Sequence, residues 1–346
     1  MIYSKIPGTE TKVSKICLGT MTWGEQNTQD QAHQQMDFAV ERGVNFFDVA
    51  ELYPIPPNPK TQGDTERFIG NWFKQSGRRD KIILATKISG PAPFVAHIRD
   101  NLGFSNQAID QALELSLKRL KTDYIDLYQL HWPERKTNFF GQRGYSFYEG
   151  PSWENNFHQV LQKLEGHIKA GKIRHIGVSN ENPWGLMKFL EIAKQHDLPL
   201  IRTVQNPYSL VNRLFEVGNA EICHHEDLGL LAYSPLAFGT LSGKYLDGKR
   251  PPNSRLTLFS NYDRYNRGPC VEATRKYVEL SREHGLKPAQ MALSFVNSRP
   301  FVTSNIIGAT TLEQLQENIE SIDVELGQDI LDHIDQIQES QPNPSP

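Results

Sequence analysis

The sequence has little cysteine. Cys17, Cys223 and Cys270 are the only three in 346 residues, an odd number and far apart. That excludes a disulfide framework and the paired CxxC spacing of a zinc site, so no metal is expected. It fits a reducing compartment, and a soluble cytoplasmic protein is the expectation. An excess of positive charge is also missing. Lys+Arg 37 against Asp+Glu 40 gives a net charge of -3, so no global field gathers nucleic acid. Long apolar runs are absent too. The longest stretch without a formal charge, Leu228 to Gly243, has 16 residues and is broken by Ser234-Pro235 and several glycines. A membrane span needs about 20 apolar residues. Met1 to Glu10 holds Pro7 and Gly8 and no apolar core, so no secretion signal is expected. Finally, no GxGxxG turn follows the first apolar run, which counts against an open dinucleotide-binding sheet.

What is present is an ordinary globular composition, 38% hydrophobic. Short apolar runs recur at Ile16 to Leu18, Val44 to Val49, Lys81 to Ile88, Tyr124 to His131, Ile173 to Val178, Thr203 to Gln205, Gly229 to Ser234 and Ser304 to Ile307. Most are apolar on successive residues, the pattern of strands covered on both faces in a parallel sheet. Amphipathic stripes lie between them. Ile109, Ala112, Leu113, Leu117 and Leu120 form one; Trp153, Phe157, Val160, Leu161, Leu164 and Ile168 another; Leu312, Leu315, Ile319 and Ile322 a third. Asn182-Pro183 reads as a cap before a first-turn proline, and Thr311 with Gln314 as a capping box. Strand and helix alternate through the chain, which implies a closed (β/α)8 TIM barrel, a single α/β domain over residues 1–340. A doubly wound open sheet is the alternative. Residues 341–346 read as a frayed tail.

Three long segments follow strands: Pro54 to Gly63, Pro133 to Pro151 and Pro235 to Pro269. In a barrel they crown the C-terminal face, where sites are built. Four polar residues sit at or just past strand ends: Asp48, Tyr53, Lys87 and His131. Singly, each has a plain explanation. An Asp at a strand end caps a turn, a Tyr packs, and a His sits in the core. Lys87 is the least plain, since lysine is almost never buried without a partner. Together on successive strands they suit proton donation to a carbonyl oxygen. A phenol is a weak acid, with pKa about 10. An ammonium ~4 Å away contributes about 4 kcal/mol at an effective dielectric of about 20. At most that is about three powers of ten in acidity. A carboxylate such as Asp48 keeps the ammonium charged, and an imidazole orients the carbonyl.

These residues and their context resemble the aldo-keto reductases over about residues 1 to 335. The matching motifs are Phe47-Asp48-Val49-Ala50, Tyr53, Ala85-Thr86-Lys87 and His131-Trp132-Pro133. The pattern is most similar to the branch holding the potassium-channel β subunits and Tas-type proteins. The resemblance implies a barrel using NADP(H), with Tyr53 as general acid, Lys87 lowering its pKa, Asp48 bridging Lys87 and His131 orienting substrate. It implies further that Ser179, Asn180 and Gln205 hold the nicotinamide carboxamide. Tyr233 would stack on the ring, with Ser234, Pro235 and Leu236 beside it toward the pyrophosphate. Gly19, Thr20 and Met21 would pass the pyrophosphate, and Lys244 and Arg255 would hold phosphates. Gly308, Thr310, Gln314, Glu317 and Asn318 would form the adenosine end.

One departure matters. Many family members have basic residues where this chain has Gly308 and Gln314, so NAD(H) is not excluded beside NADP(H). The proline-rich segment after Tyr53 is expected to wall the substrate mouth. Trp23 and Trp132, with Phe139, Phe140 and Tyr145, are expected to line an apolar pocket. The leading expectation is a reductase of small-molecule aldehydes or ketones, with no nucleic-acid or membrane partner. The alternative is a cofactor-binding redox sensor or regulatory protein with slow turnover. A metal hydrolase using His224, His225 and Glu226 is disfavoured, because they precede a strand rather than follow one.

Overall fold

The computed structural model describes residues 1–147 and 153–345. A short hairpin, β1 (Tyr3–Lys5) and β2 (Lys12–Ser14), leads into a closed barrel. The barrel strands are β3 (Ile16–Gly19), β4 (Phe46–Asp48), β5 (Ile83–Ile88), β6 (Ile125–Leu130), β7 (Ile173–Ser179), β8 (Thr203–Pro207), β9 (Gly229–Tyr233) and β10 (Val302–Ile307). They are parallel in chain order, and β10 pairs with β3 to close the ring. Each apolar run expected as a strand falls on one of them. The hairpin was not expected from the sequence, because each of its strands has only three residues.

Register decides what the interior holds. Cys17, Phe46, Ala85, Leu127, Leu231 and Ile306 form one buried cluster with Ile6 and Val13 of the hairpin. The hairpin therefore plugs the N-terminal end. Strand side chains alternate, so the residue two positions on faces the same interior. After Phe46, Ala85 and Leu127 those residues are Asp48, Lys87 and Gln129, and Lys87 lies beside Gln129 in the ladder. A polar layer thus covers an apolar floor.

The helices are α1 (Gln29–Glu41), α2 (Asp64–Ser76), α3 (Asn106–Leu120), α4 (Phe157–Lys169), α5 (Pro183–Gln195), α6 (Asn219–His225), α7 (Arg255–Leu258), α8 (Gly268–Glu283), α9 (Pro288–Asn297), α10 (Leu312–Glu320) and α11 (Gln328–Ser340); the short α7 belongs to the long segment after β9, at the cleft. The α3 stripe is buried as its spacing requires. Ser105 caps that helix by accepting from the Ala108 N–H. At Gly70 on α2 an added Cβ would lie 2.3 Å from the Arg119 carbonyl oxygen, so only glycine lets α2 and α3 approach this closely.

Four local expectations need correcting. The α4 stripe starts at Phe157, and Trp153 lies before the helix. Asn182 precedes α5, but its amide bonds Thr137 Oγ1 and the Asn138 carbonyl at 2.9 Å instead of capping. Thr311 does cap α10, while the Gln314 side chain accepts from the Thr310 N–H, one residue early for a capping box. Of the tail expected to fray, residues 341–345 are held against the barrel, and Pro346 lies outside the described residues. Ser345 is 4% exposed, its N–H bonds the Val211 carbonyl at 3.1 Å and its hydroxyl bonds the Arg264 carbonyl at 2.7 Å. Arg143 reaches the Asn343 and Pro344 carbonyls. Those bonds satisfy backbone groups of the tail and of the two loops that hold Val211 and Arg264, which a frayed end leaves to water.

The proline-rich segment begins with cis Tyr53–Pro54 and Ile55–Pro56 bonds. The segment after β9 contains α7 and short 3-10 turns. The segment expected from Pro133 to Pro151 runs into residues outside those described. Among the described residues, no helix is long and apolar enough to cross a membrane. Nor, among them, do three or more His, Cys, Asp or Glu side chains group to hold a metal.

Candidate active site

Asp48 ends β4 and Lys87 nears the end of β5, so both project at the C-terminal rim. Lys87 is 0% exposed and Asp48 2%. The Lys87 ammonium donates to Asp48 Oδ2 at 2.7 Å, to the Val49 carbonyl at 2.8 Å and to Tyr53 Oη at 3.4 Å. An ammonium has three protons and no acceptor, so all three are used. The phenol oxygen accepts from Lys87, which leaves its own O–H to point elsewhere. The His131 ring meets the Tyr53 ring edge-on, with centroids 5.9 Å apart. The structure therefore brings the four rim residues together.

Their protonation follows from burial and charge. Burial pushes the Tyr53 phenol above its usual value, and the nearby Lys87 charge only partly offsets this. Lys87 acts in the expected direction and lowers the phenol pKa, but desolvation of the phenolate is the larger effect and the net shift is upward. For Lys87, burial works against the ammonium, but Asp48 and Tyr53 outweigh it and the pKa is raised. Burial, helped by Lys87, holds the His131 imidazole well below its usual value, so it is neutral. His131 Nδ1 is buried and has no partner among the described residues.

A cleft of about 1050 Å³ opens over this rim. It is lined by all the sequence-expected cofactor residues: Gly19 at the end of β3 with Thr20 and Met21 beyond it; Ser179 at the end of β7 with Asn180 beyond it, and Gln205 on β8; Tyr233 at the end of β9 with Ser234, Pro235, Leu236, Lys244 and Arg255 beyond it; and Gly308, Thr310, Gln314, Glu317 and Asn318 after β10. Internal hydrogen bonds fix several of them. Tyr233 Oη donates to Asn180 Oδ1 at 2.6 Å, and the Ser179 hydroxyl to the Gln205 carbonyl at 2.7 Å. Asn318 donates to the Gly308 carbonyl at 3.1 Å. Ile55 and Pro57 of the proline-rich segment line the mouth, as does an aromatic group of Phe94, Trp132 and Phe140.

Trp23 does not belong to this pocket. It is fully buried in the core and donates to Gln35 Oε1 at 3.0 Å; an indole N–H out of water needs an acceptor, and α1 supplies one. Phe139 packs on Phe140 behind the lining, and Tyr145 is exposed against Phe147.

Sequence reasoning missed two residues. Arg264 lines the cleft, with its guanidinium 5.4 Å from the Phe238 ring, opposite Arg255 at 4.7 Å. Nothing in sequence singles it out within a long loop. Gln129 was legible: it is a polar residue inside an apolar strand, two positions past Leu127.

A family model for the Aldo/keto reductase family matches residues 15–339. Protein tas of Escherichia coli (strain K12) is 50% identical over 347 residues, covering 100% of both chains. The uncharacterized oxidoreductase YrpG of Bacillus subtilis (strain 168) is 35% identical over 337 residues, covering 96% of this chain and 94% of its own. A probable voltage-gated potassium channel subunit beta of Arabidopsis thaliana is 30% identical over 361 residues, covering 99% and 98%. With its closed barrel and rim of four polar residues, the chain belongs to the aldo/keto reductase family of oxidoreductases.

Proposed function

We propose that this chain is an NADP(H)-dependent reductase of aldehydes and ketones, with Tyr53 as the proton donor. The observation that carries the reading is the three-way commitment of the Lys87 ammonium. It makes Tyr53 Oη an acceptor from the chain and leaves its proton for a carbonyl oxygen in the cleft. Burial keeps that proton on the phenol until the carbonyl oxygen gains negative charge. Asp48 holds Lys87 in place and charged. Neutral His131 orients the carbonyl by a hydrogen bond and adds no competing charge.

The chain's residues fit a nicotinamide dinucleotide. Lys244, Arg255 and Arg264 line the cleft with no carboxylate within 4.0 Å among the described residues, so they suit phosphates. A Cβ on Gly308 would meet nothing within 4 Å, which leaves open space at the adenosine end. Ser179, Asn180 and Gln205 suit the carboxamide, and Tyr233 the ring face. Gly19, Thr20, Met21, Ser234, Pro235 and Leu236 suit the pyrophosphate, and Thr310, Gln314, Glu317 and Asn318 the adenosine. When bound, the reduced nicotinamide supplies the hydride. Three cations favour NADP(H), while NAD(H) fits the same cleft less strongly. Phe94, Trp132 and Phe140 suit an aromatic or otherwise apolar carbonyl compound. Three buried free thiols suit a reducing cytoplasm.

The test is NADPH oxidation by purified protein with a nitrobenzaldehyde. Turnover is expected, and Tyr53→Phe is expected to lower it by about 10²–10⁴-fold with NADPH binding retained. Unchanged turnover in Tyr53→Phe would remove the mechanism. Tight NADPH binding with negligible turnover across aldehydes and ketones would replace it with a cofactor-sensing role.

A further inference from the structure

Beneath the cleft, one buried residue joins the two halves of the site. Gln129 on β6 is 0% exposed and does not line the cleft. Its amide nitrogen lies 3.3 Å from Asp48 Oδ1. Its carbonyl oxygen lies 3.3 Å from Gln205 Nε2, and Gln205 Nε2 also lies 2.8 Å from Asp48 Oδ1. Between β6 and β8 stands Gly177 of β7, paired in register with Gln129. A Cβ there would sit 2.4 Å from Thr203 Oγ1 and 3.5 Å from Gln129 Cγ. With no side chain from β7 in this layer, the Gln129 amide spans from β6 to Gln205 on β8.

The orientations follow from donor and acceptor counts. An ionised carboxylate only accepts, so both amides must turn a nitrogen toward Asp48. A side-chain amide nitrogen has two protons. In Gln205 one goes to Asp48 and the other to Gln129 Oε1. Its carbonyl oxygen is then what remains for the cleft it lines. The neighbours are committed in the same sense. The Ser179 proton goes to the Gln205 main-chain carbonyl. The two Asn180 amide protons go to the His131 carbonyl and to Ser179 Oγ, at 2.9 and 3.1 Å. This wall therefore offers acceptors and few protons.

We propose that Gln129 is a positioning residue that, together with Asp48, holds Gln205 with its carbonyl oxygen outward, so that the cleft selects a ligand amide N–H over a carboxylate. The proposal rests on the nicotinamide reading above and adds to it the residue that takes up the second Gln205 amide proton and so reinforces the polarity that Asp48 sets. Gln129 and Gln205 both donate to Asp48 Oδ1 while Lys87 donates to Oδ2, so the one carboxylate group joins this layer to Lys87 and Tyr53.

The experiment is a fluorescence titration of the purified protein with NADPH and with its deamido analogue, in which a carboxylate replaces the carboxamide. Wild type is expected to bind NADPH more than tenfold tighter. Gln129→Leu removes both bonds at similar volume and is expected to shrink that preference by about tenfold. Gln129→Met carries the same expectation if the leucine variant does not fold. In a Gln205→Leu background, Gln129→Leu is expected to change the preference no further, because Gln129 acts through Gln205. A purely structural role would weaken both ligands equally. Equal binding of the two ligands by wild type, or an unchanged preference in a folded Gln129 variant, would overturn the proposal while leaving the nicotinamide reading intact. Failure of wild type to bind NADPH at all would overturn both.

Discussion

The two walls of the cleft handle charge in opposite ways. On the β4–β6 side, buried charges are matched within the chain. Lys87 bonds Asp48, Glu51 bonds Arg99 at 2.5 Å and Glu66 bonds Arg119 at 2.6 Å. After β9, Lys244, Arg255 and Arg264 face the cleft beside aromatic rings and make no ion pair among the described residues. Burial pushes the Arg255 guanidinium down from its usual value. The first wall is complete as folded. The second makes no ion pair among the described residues, and under the proposed function the phosphates of the dinucleotide would supply its counter-charges, so mutations on the two sides should register in different measurements.

The largest contrast is expected from one substitution on each side. Lys87→Met should lower carbonyl reduction by about 10²–10⁴-fold. It should also cost about 3–5 kcal/mol in a urea unfolding titration, because Asp48 is left as a buried carboxylate without its cation. Arg255→Met should leave the unfolding midpoint unchanged or raised, since it removes a half-buried cation that makes no ion pair among the described residues. Its effect should appear instead as an NADPH affinity lower by about tenfold or more. A stability loss in Arg255→Met matching that of Lys87→Met would break the comparison.

A smaller effect belongs to the tail. Deleting residues 341–346 removes the bonds from Ser345 to Val211 and Arg264, and those from Arg143 to the tail. A loss of about 1–2 kcal/mol is expected by thermal unfolding, at roughly 1 kcal/mol or less per bond. NADPH affinity should fall with it, because Arg264 loses an anchor on its backbone.

The smallest effect is one of pH. Folding lowers the His131 pKa, so below about 6.5 the unfolded chain takes up a proton that the folded chain refuses. The sign follows: stability falls as pH drops through that value, by up to about 1.4 kcal/mol per pH unit from this group. His167 and His175, also lowered by burial, act in the same direction. Melting temperatures at pH 7.5 and 5.5 should show the fall, and His131→Gln should reduce it.

The barrel was legible because strands covered on both faces are apolar on successive residues and alternate eight times with helices; a doubly wound sheet shares that pattern, and the missing GxGxxG turn counted against it. The rim was legible because its polar residues interrupt those runs at their ends. Gln129 interrupts one in the same way, and only the habit of reading strand ends hid it. Trp23 misled because an aromatic residue soon after a strand end suits a pocket and a core equally; the acceptor on α1 that decides between them is distant in sequence. Arg264 and the tail were beyond reach for another reason. They depend on how a loop of more than thirty residues folds over β9 and where the chain end lands on it, which no local pattern encodes.

The most direct test of the central claim follows the hydrogen itself. NADPH carrying deuterium at the transferable nicotinamide position is incubated with an aromatic aldehyde and the protein, and the alcohol is analysed by mass spectrometry. One deuterium on the former carbonyl carbon is expected with wild type, and almost no alcohol with Tyr53→Phe. Alcohol without deuterium, or equal labelled alcohol from both proteins, would contradict the account.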